Sequence, residues 1–376
     1  MKRPAAAPSN ATASACKDYA DIGRRHKKRG QPAFWDALPY IPLSVTAAQT
    51  AASLGLLHLE YMRLCWMGAP LVLFELLRHI QCHSSPSQGI DLIEFFCGLG
   101  AHTRAVQALG LHAVGYDFLR DGVYMNLLTD AGMVMALTLA VRLQPQGAMW
   151  LAIVCSSFAW VARDKTKRTR DCPRGSERSG SAMRGNTLTA RSGLLILLAL
   201  AREGWYIIEQ PLTSCMDMHD VLKFLESLWA QFSFPWVGGY HIAHTYMGAF
   251  GADTIKPHKL ISNRWWAFGL SRDKPSRRSF ESRRRTYTSV ITEDSAGNRK
   301  RAITGTSELK GTEEYTDEFG HAFADLFADY QVHIADEIPV YNVDDFDKCP
   351  ISFTVWRDLE LSTCLRNIRS EPSNTD

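Results

Sequence analysis

Two side chains in this chain of 376 residues are of the types that nucleophilic catalysis requires. Cys155 closes the apolar run AMWLAIVC, and Glu209 lies near the end of the run WYIIEQP. A reactive thiolate needs a partly exposed, positively charged setting, and Arg163 and Lys165 follow closely. A neighbouring carboxylate can hold or protonate a ring nitrogen while the thiolate adds to an electron-poor ring. An inert, buried cysteine is the other interpretation, and spacing alone leaves both open.

The segment FFCGLG has the form of a cofactor-binding turn. Gly98 and Gly100 lie between a predicted strand and a predicted helix, where glycine lets the backbone turn sharply against a ligand. Asp117 ends the next predicted strand, where an acid can accept hydrogen bonds from both hydroxyls of a ribose. Thr103 replaces the third glycine of the GxGxxG motif, which disfavours a nicotinamide cofactor. A plain turn or cap role for Asp117 is the structural alternative.

These residues need a sheet that brings the ends of several strands together. From Gly89 onward, strand-like and helix-like segments alternate, with strands predicted at 90–96, 112–117, 148–155 and 205–211. The pattern predicts an α/β fold that is Rossmann-like, with a mostly parallel sheet and helices on both faces. Ligands of such folds bind at the carboxyl ends of the strands, where the residues named above fall.

The composition of the chain indicates its cellular compartment and disfavours two kinds of cysteine site. The nine cysteines are scattered and none is spaced as CxxC, which argues against a zinc site and against a disulfide framework. We therefore expect no metal. No uncharged apolar run is long enough to cross a bilayer, and the first residues do not read as a secretory signal. We expect a protein of the nucleus or the cytoplasm that does not insert in membranes.

Charge is distributed unevenly along the chain. The net charge is +3, yet residues 302–376 carry 5 basic and 16 acidic side chains. The segment 163–184 has 8 basic against 3 acidic residues, and 272–301 has 10 against 4. Basic segments that flank a site are the footprint of an acidic polymer such as nucleic acid. A solvated loop without a partner explains each segment, taken alone, equally well.

In order along the chain, the segments LIEFFCGLG, GYD, IVCSSF, ARSGLL and IIEQP resemble motifs of the cytosine-5 DNA methyltransferases. Phe96 and the two glycines match the first motif of that family. Cys155 aligns with its nucleophile, Glu209 with the glutamate that contacts cytosine, and Arg191 opens the helix between them. The likeness covers about 90–212 and continues more weakly over 306–327.

The resemblance implies a class I S-adenosylmethionine (SAM) methyltransferase that acts on nucleic acid, with DNA favoured and RNA possible. In the implied reaction, Cys155 adds to C6 of a flipped-out cytosine and Glu209 engages N3, after which C5 takes up the methyl group. The residues implied to bind the cofactor are Phe96, Gly98, Leu99, Gly100, Asp117 and Asn126. Those implied to contact the substrate are Arg163, Lys165 and Arg191.

The chain departs from the family at several positions. Val154 and Ser156 stand where the family has proline and glutamine around its cysteine, and Gln210 stands where it has asparagine. The family's Gln-x-Arg-x-Arg motif is absent, and the candidates to replace it are Lys256, Lys259 and Asn263. Two alternatives therefore stay open. One is a catalytically inactive SAM-fold module that binds nucleic acid or a protein partner, and the other is methylation of RNA or protein.

The organisation that follows has six segments. They are a disordered basic arm (1–44), a helical N-terminal extension (45–88), the SAM-methyltransferase-like domain (89–269), a basic loop or small insertion (270–312), a helix closing the core domain (313–334) and an acidic C-terminal tail (335–376).

Overall fold

The computed structural model describes residues 58–81, 89–231, 239–276, 287–293, 297, 299–305 and 314–334. The predicted arm at 1–44 and the predicted tail at 335–376 lie outside the described residues, as do parts of the helical extension and of the basic insertion.

Six strands form the central sheet, in the order β2-β1-β3-β4-β6-β5. They are β1 (Ile90–Phe95), β2 (Ala113–Tyr116), β3 (Leu143–Leu151), β4 (Trp205–Pro211), β5 (His241–Tyr246) and β6 (Pro257–Ser262). The pairs formed among β1 to β4 are parallel, whereas β6 is antiparallel to both β4 and β5. Phe95 pairs with Tyr116 on one side and Leu151 on the other, so the carboxyl ends of three strands lie side by side.

Helices cover both faces of this sheet. They are α1 (His58–Trp66), α2 (Leu71–Gln81), α3 (Ala101–Ala108), α4 (Asp130–Ala140), α5 (Arg163–Thr166), α6 (Gly180–Ala201), α7 (Asp220–Gln231) and α8 (Asp317–Ile334). One apolar core joins the sheet to α1, α2, α4, α6 and α7, and a second joins its other face to α3 and α8. The predicted α/β architecture, with a mostly parallel sheet between helical layers, is confirmed, and it is compatible with a Rossmann-like fold.

The central helix α6 is buried almost all round, as expected for a helix packed against a sheet on one side and helices on the other. The sequence predicts that Arg191 opens this helix, but the helix begins eleven residues earlier, at Gly180. Ser179 caps the first turn by accepting a hydrogen bond from the N–H of Ala182. Gly180 and Gly185 have low helix propensity, so the first two turns resemble a loop in the sequence.

Strand β3 differs from its predicted extent of 148–155. It runs from Leu143 to Leu151, and the N–H of Ala152 donates to the carbonyl of Phe95 at 3.2 Å before the chain leaves the sheet. Cys155 therefore lies in a turn beyond the strand and does not end it.

The strands β5 and β6 were not predicted, and neither was a hairpin within the expected basic insertion. This hairpin pairs β7 (Tyr287–Glu293) with β8 (Arg299–Gly305) in antiparallel register.

Across the residues that the structure describes, none of the helices is long and apolar enough to cross a bilayer. Within the same residues, no three His, Cys, Asp or Glu side chains converge as a metal site would require.

Candidate functional site

A cavity of about 290 Å³ opens at the carboxyl ends of β1, β2 and β3. Three of the predicted cofactor-binding residues line it, namely Phe96 after β1, Asp117 after β2 and Asn126 in the loop that follows. Ser156 and Ser157, two consecutive residues of the turn after Cys155, also line the cavity. Because the parallel register aligns these strand ends, residues far apart in sequence share one cavity.

The glycine turn at the end of β1 has the backbone conformation that its sequence predicts. Gly98 has φ +51° and Gly100 has φ +73°, both in the left-handed region that side chains disfavour. A Cβ atom on Gly98 would meet nothing within 4 Å, so the turn presents open backbone at this position. Gly100 forms the N-cap of α3, and Leu99 between the two glycines is 57% exposed.

Asp117 holds the glycine turn as well as lining the cavity. One carboxylate oxygen accepts the N–H of Gly98 at 2.9 Å, and the other accepts the N–H of Leu119 at 2.8 Å. An ionised carboxylate offers about four acceptor positions, so two remain for a ligand. The turn role and the ligand role that the sequence left as alternatives are thus compatible in one side chain.

Asn126 belongs to a loop whose backbone carbonyls accept hydrogen bonds from a buried arginine. Its side-chain oxygen accepts the N–H of Leu128 at 3.0 Å. Beneath the loop, the Arg191 guanidinium donates to the carbonyls of Leu127 at 2.9 Å and Thr129 at 3.1 Å. Arg191 is only 2% exposed, so in this conformation it positions the cavity loop from within the core.

Cys155 occupies a tight turn between β3 and the basic segment. Its carbonyl accepts the N–H groups of Phe158 and Ala159 at 2.8 and 2.9 Å, and its side chain is partly exposed. Cys155 itself is outside the cavity lining, while its neighbours Val154 and Ser156 are part of it. The predicted nucleophile thus lies beside the cavity, not at its floor.

Glu209 is held in a buried polar cluster. One carboxylate oxygen forms a short contact with Nδ1 of His258, and the other accepts the Tyr315 hydroxyl at 2.8 Å. Burial raises the pKa of Glu209, but the charge and hydrogen bond of His258, with Lys256 and Tyr315, outweigh burial and lower it to about 2. Glu209 is therefore an ionised carboxylate whose two oxygens are engaged.

The cluster continues across the sheet to β1. The Trp150 indole N–H donates to the Tyr315 hydroxyl at 3.4 Å, and the ring of His102 stacks on Trp150 with centroids 3.9 Å apart. Nδ1 of His102 lies 2.9 Å from the carboxylate of Glu94, which also accepts the N–H of Thr103 at 2.8 Å. The sequence indicated none of these partners, since each is a single polar residue without a motif.

The basic segment after Cys155 divides into buried and exposed cations. Arg168 and Arg174 are buried; Arg168 donates to the Ala182 carbonyl at 2.8 Å, and Arg174 pairs with Asp220 at 2.6 Å. Arg163 and Lys165, the two predicted substrate contacts, are exposed on the short helix α5. Those two remain accessible to a ligand.

Comparison of this chain with protein-family models, with curated proteins and with solved structures found no match.

Proposed function

We propose that this protein is a SAM-dependent methyltransferase that acts on nucleic acid, with C5 of cytosine in DNA as the favoured acceptor and Cys155 as the nucleophile. One observation carries the proposal: Phe96, Asp117 and Asn126 line one cavity at the carboxyl edge of the sheet. The mostly parallel sheet, with β6 antiparallel between β4 and β5, is compatible with the Rossmann-like fold that the proposal requires.

Several side chains that line the cavity are of the types that suit SAM, and they support the proposal. The Asp117 carboxylate has acceptor capacity left for ribose hydroxyls. Arg184 lines the same cavity and can pair with the carboxylate of the methionine part. Phe96, Leu127 and Leu188 supply apolar surface for a planar base.

In the proposed reaction, the Cys155 thiolate forms a bond to C6 of cytosine, and the electron pair of the C5–C6 double bond becomes available at C5. SAM, when bound, would supply an electrophilic methyl group: the new bond to C5 forms as the sulfonium–methyl bond breaks, and the electron pair of that bond stays on sulfur in S-adenosylhomocysteine. A base then removes the C5 proton, the double bond re-forms and the thiolate leaves. Glu209 holds the amino face of the ring only if it exchanges its Tyr315 or His258 bond for the substrate.

A catalytically inactive SAM-fold module is the second candidate, and one observation favours it. Both oxygens of Glu209 are engaged by His258 and Tyr315, and Glu209 lies outside the cavity lining. Such a module would bind SAM or nucleic acid without turnover.

Calorimetric titration of the full chain with SAM tests the cofactor site. We expect binding by the wild type, and a loss of about tenfold or more in Asp117→Asn, because a hydrogen bond to a charged group contributes about 1.5–3 kcal/mol. Asp121→Asn is the matched control, since Asp121 caps the same loop through the N–H groups of Val123 and Tyr124. A folded wild type that does not bind SAM would overturn the proposal.

Covalent trapping separates the enzyme from the inactive module. An oligonucleotide containing 5-fluorocytosine should form a stable adduct with the wild type in the presence of SAM. Cys155→Ser should abolish the adduct, and Cys172→Ser, at another partly exposed cysteine, should retain it. SAM binding without any adduct would favour the inactive module or another acceptor.

A further inference from the structure

A second cavity, of about 560 Å³, is lined in part by the residues that follow the Cys155 turn along the chain. Val154 and Ser156 of this turn line the first cavity, whereas Phe158 and Trp160 line the second. The predicted nucleophile itself lines neither cavity, but its chain neighbours line the first, and Phe158, three positions further on, lines the second. If the first holds the cofactor, the second is the open approach for the acceptor.

The second cavity has an excess of positive charge. Its lining includes four cations and one carboxylate, namely Arg163, Arg168, Arg170, Lys259 and Asp217. Lys259 is only 5% exposed, and its ammonium group donates to the Ser214 carbonyl at 2.7 Å and pairs with Asp217 at 2.7 Å. An ammonium group has three donors, so one remains for a ligand beyond these two contacts. A concave surface with this charge concentrates anions.

The rim of this cavity includes an aromatic platform. The Trp160 side chain is 43% exposed. The guanidinium of Arg163 lies 5.8 Å from the centroid of its ring, while Arg168 covers the Phe158 ring at 3.7 Å. An exposed indole next to cations is what a nucleic acid strand requires for base stacking and phosphate contacts.

We propose that the second cavity receives an unpaired nucleotide of a single-stranded acceptor, with its base on Trp160 and its phosphates at Arg163 and Arg170. The inference rests on the proposed function and deepens it, because it names a strand that is unpaired before it binds. A base inside a duplex reaches the indole only after unstacking and unpairing, which costs a few kcal/mol. A strand without a partner avoids that cost.

Fluorescence anisotropy with a labelled oligodeoxynucleotide, single-stranded or annealed to its complement, tests the proposal on the full chain without SAM. We expect the single strand to bind at least about tenfold more tightly than the duplex. Trp160→Ala should weaken strand binding by about 5- to 150-fold, since stacking contributes about 1–3 kcal/mol per base. Trp160→Phe, which keeps an aromatic face, should recover most of the affinity.

Two further variants test whether the strand binds at Trp160 and Arg170 specifically. Trp265→Ala removes another exposed indole, next to Trp266 after β6, and should leave strand binding unchanged. Arg170→Ala should lower the slope of log affinity against log salt concentration by about 0.7 if it contacts one phosphate of a single strand.

Equal affinity for strand and duplex, or wild-type strand affinity in Trp160→Ala, would overturn the proposal. Displacement of the strand by an acidic peptide at equal concentration would also overturn it, because a peptide has no base to stack. SAM titration of the same preparations separates the two claims. Strand binding with no SAM binding would refute the proposed function but support this site, and the reverse result would refute this site alone.

Discussion

The Tyr315 hydroxyl donates a hydrogen bond to the carboxylate of Glu209 at 2.8 Å. This bond joins the segment in front of α8 to the end of β4, while His258 from β6 contacts the other oxygen. A buried carboxylate is costly unless its oxygens are bonded, and here both have partners. Helix α8 is therefore held to the sheet by a polar contact as well as by apolar packing.

Tyr315→Phe removes this hydrogen bond and keeps the ring. We predict that the free energy of unfolding falls by about 1.5–3 kcal/mol, because the Glu209 carboxylate stays buried with one partner fewer. Urea denaturation measures the change. Tyr124→Phe, at a side chain 55% exposed, is the control and should have almost no effect. Equal stability of the two variants would show that the bond contributes nothing.

The pKa of Glu209 makes stability depend on acid. A carboxyl group with a lowered pKa stabilises the folded state fully above its ordinary value of 4.5, and this stabilisation is lost as the pH falls toward the folded value of about 2. We predict that Glu209→Gln flattens the fall in unfolding free energy over this window. A smaller slope should persist, because bonds from His102 and Thr103 hold the pKa of the buried Glu94 below its ordinary value.

Denaturation curves recorded at several pH values in this window test the prediction. Glu318→Gln, at an exposed glutamate on α8, is the control and should keep the wild-type slope. The same slope in Glu209→Gln and wild type would mean that Glu209 is not ionised and paired in the folded protein.

Gly98→Ala tests whether the open backbone of the glycine turn binds the cofactor. A left-handed residue with a side chain costs about 1–2 kcal/mol, and a new Cβ would meet nothing within 4 Å here. Gly110→Ala is matched, since Gly110 has φ +80° and equally open surroundings at the end of α3. We predict similar stability losses in both variants and weaker SAM binding, measured by calorimetry, only in Gly98→Ala. Equal SAM affinity in the two would place the cofactor away from this turn.

Arg191→Lys separates a positioning role from a direct substrate contact. Nη1 of Arg191 donates to the carbonyls of both Leu127 and Thr129, while Nη2 lies 3.7 Å from the Asp130 carboxylate, and the single nitrogen of a lysine cannot replace both donors. We predict a stability loss of about 1–3 kcal/mol together with weaker SAM binding, since the loop with Asn126 loses its brace. Arg178→Lys, at an exposed arginine, should change neither. Unchanged stability with weaker nucleic acid binding would instead support a substrate contact.

The strands that the sequence predicts are those with buried apolar runs and glycine or proline at their ends. Strands β5 and β6 were missed for a physical reason. His241 and His244 in β5 give a polar pattern, and β6 buries His258 and Lys259, two residue types that ordinarily signal exposed chain. Their burial depends on tertiary partners, which no local pattern reports.

Some residues of the candidate site could likewise be predicted from the sequence, and others could not. Phe96, Asp117 and Asn126 could be found because each follows a strand, and strand ends of a parallel sheet converge. The partners of Glu209 could not, because Tyr315 is 106 positions away and His258 is 49. The sequence therefore indicates where a cavity forms. It does not indicate which distant side chains form hydrogen bonds with the functional groups beside that cavity.

The hydrogen bond from Gly98 to Asp117 has a consequence for how this fold can vary. Because one carboxylate accepts N–H groups from both the glycine turn and the start of the following loop, replacing Asp117 would remove both supports at once. Variation is left to the outer part of that loop, where Leu119 and Tyr124 are exposed. Substitutions in that outer part can therefore change ligand preference while leaving the turn and its acid in place.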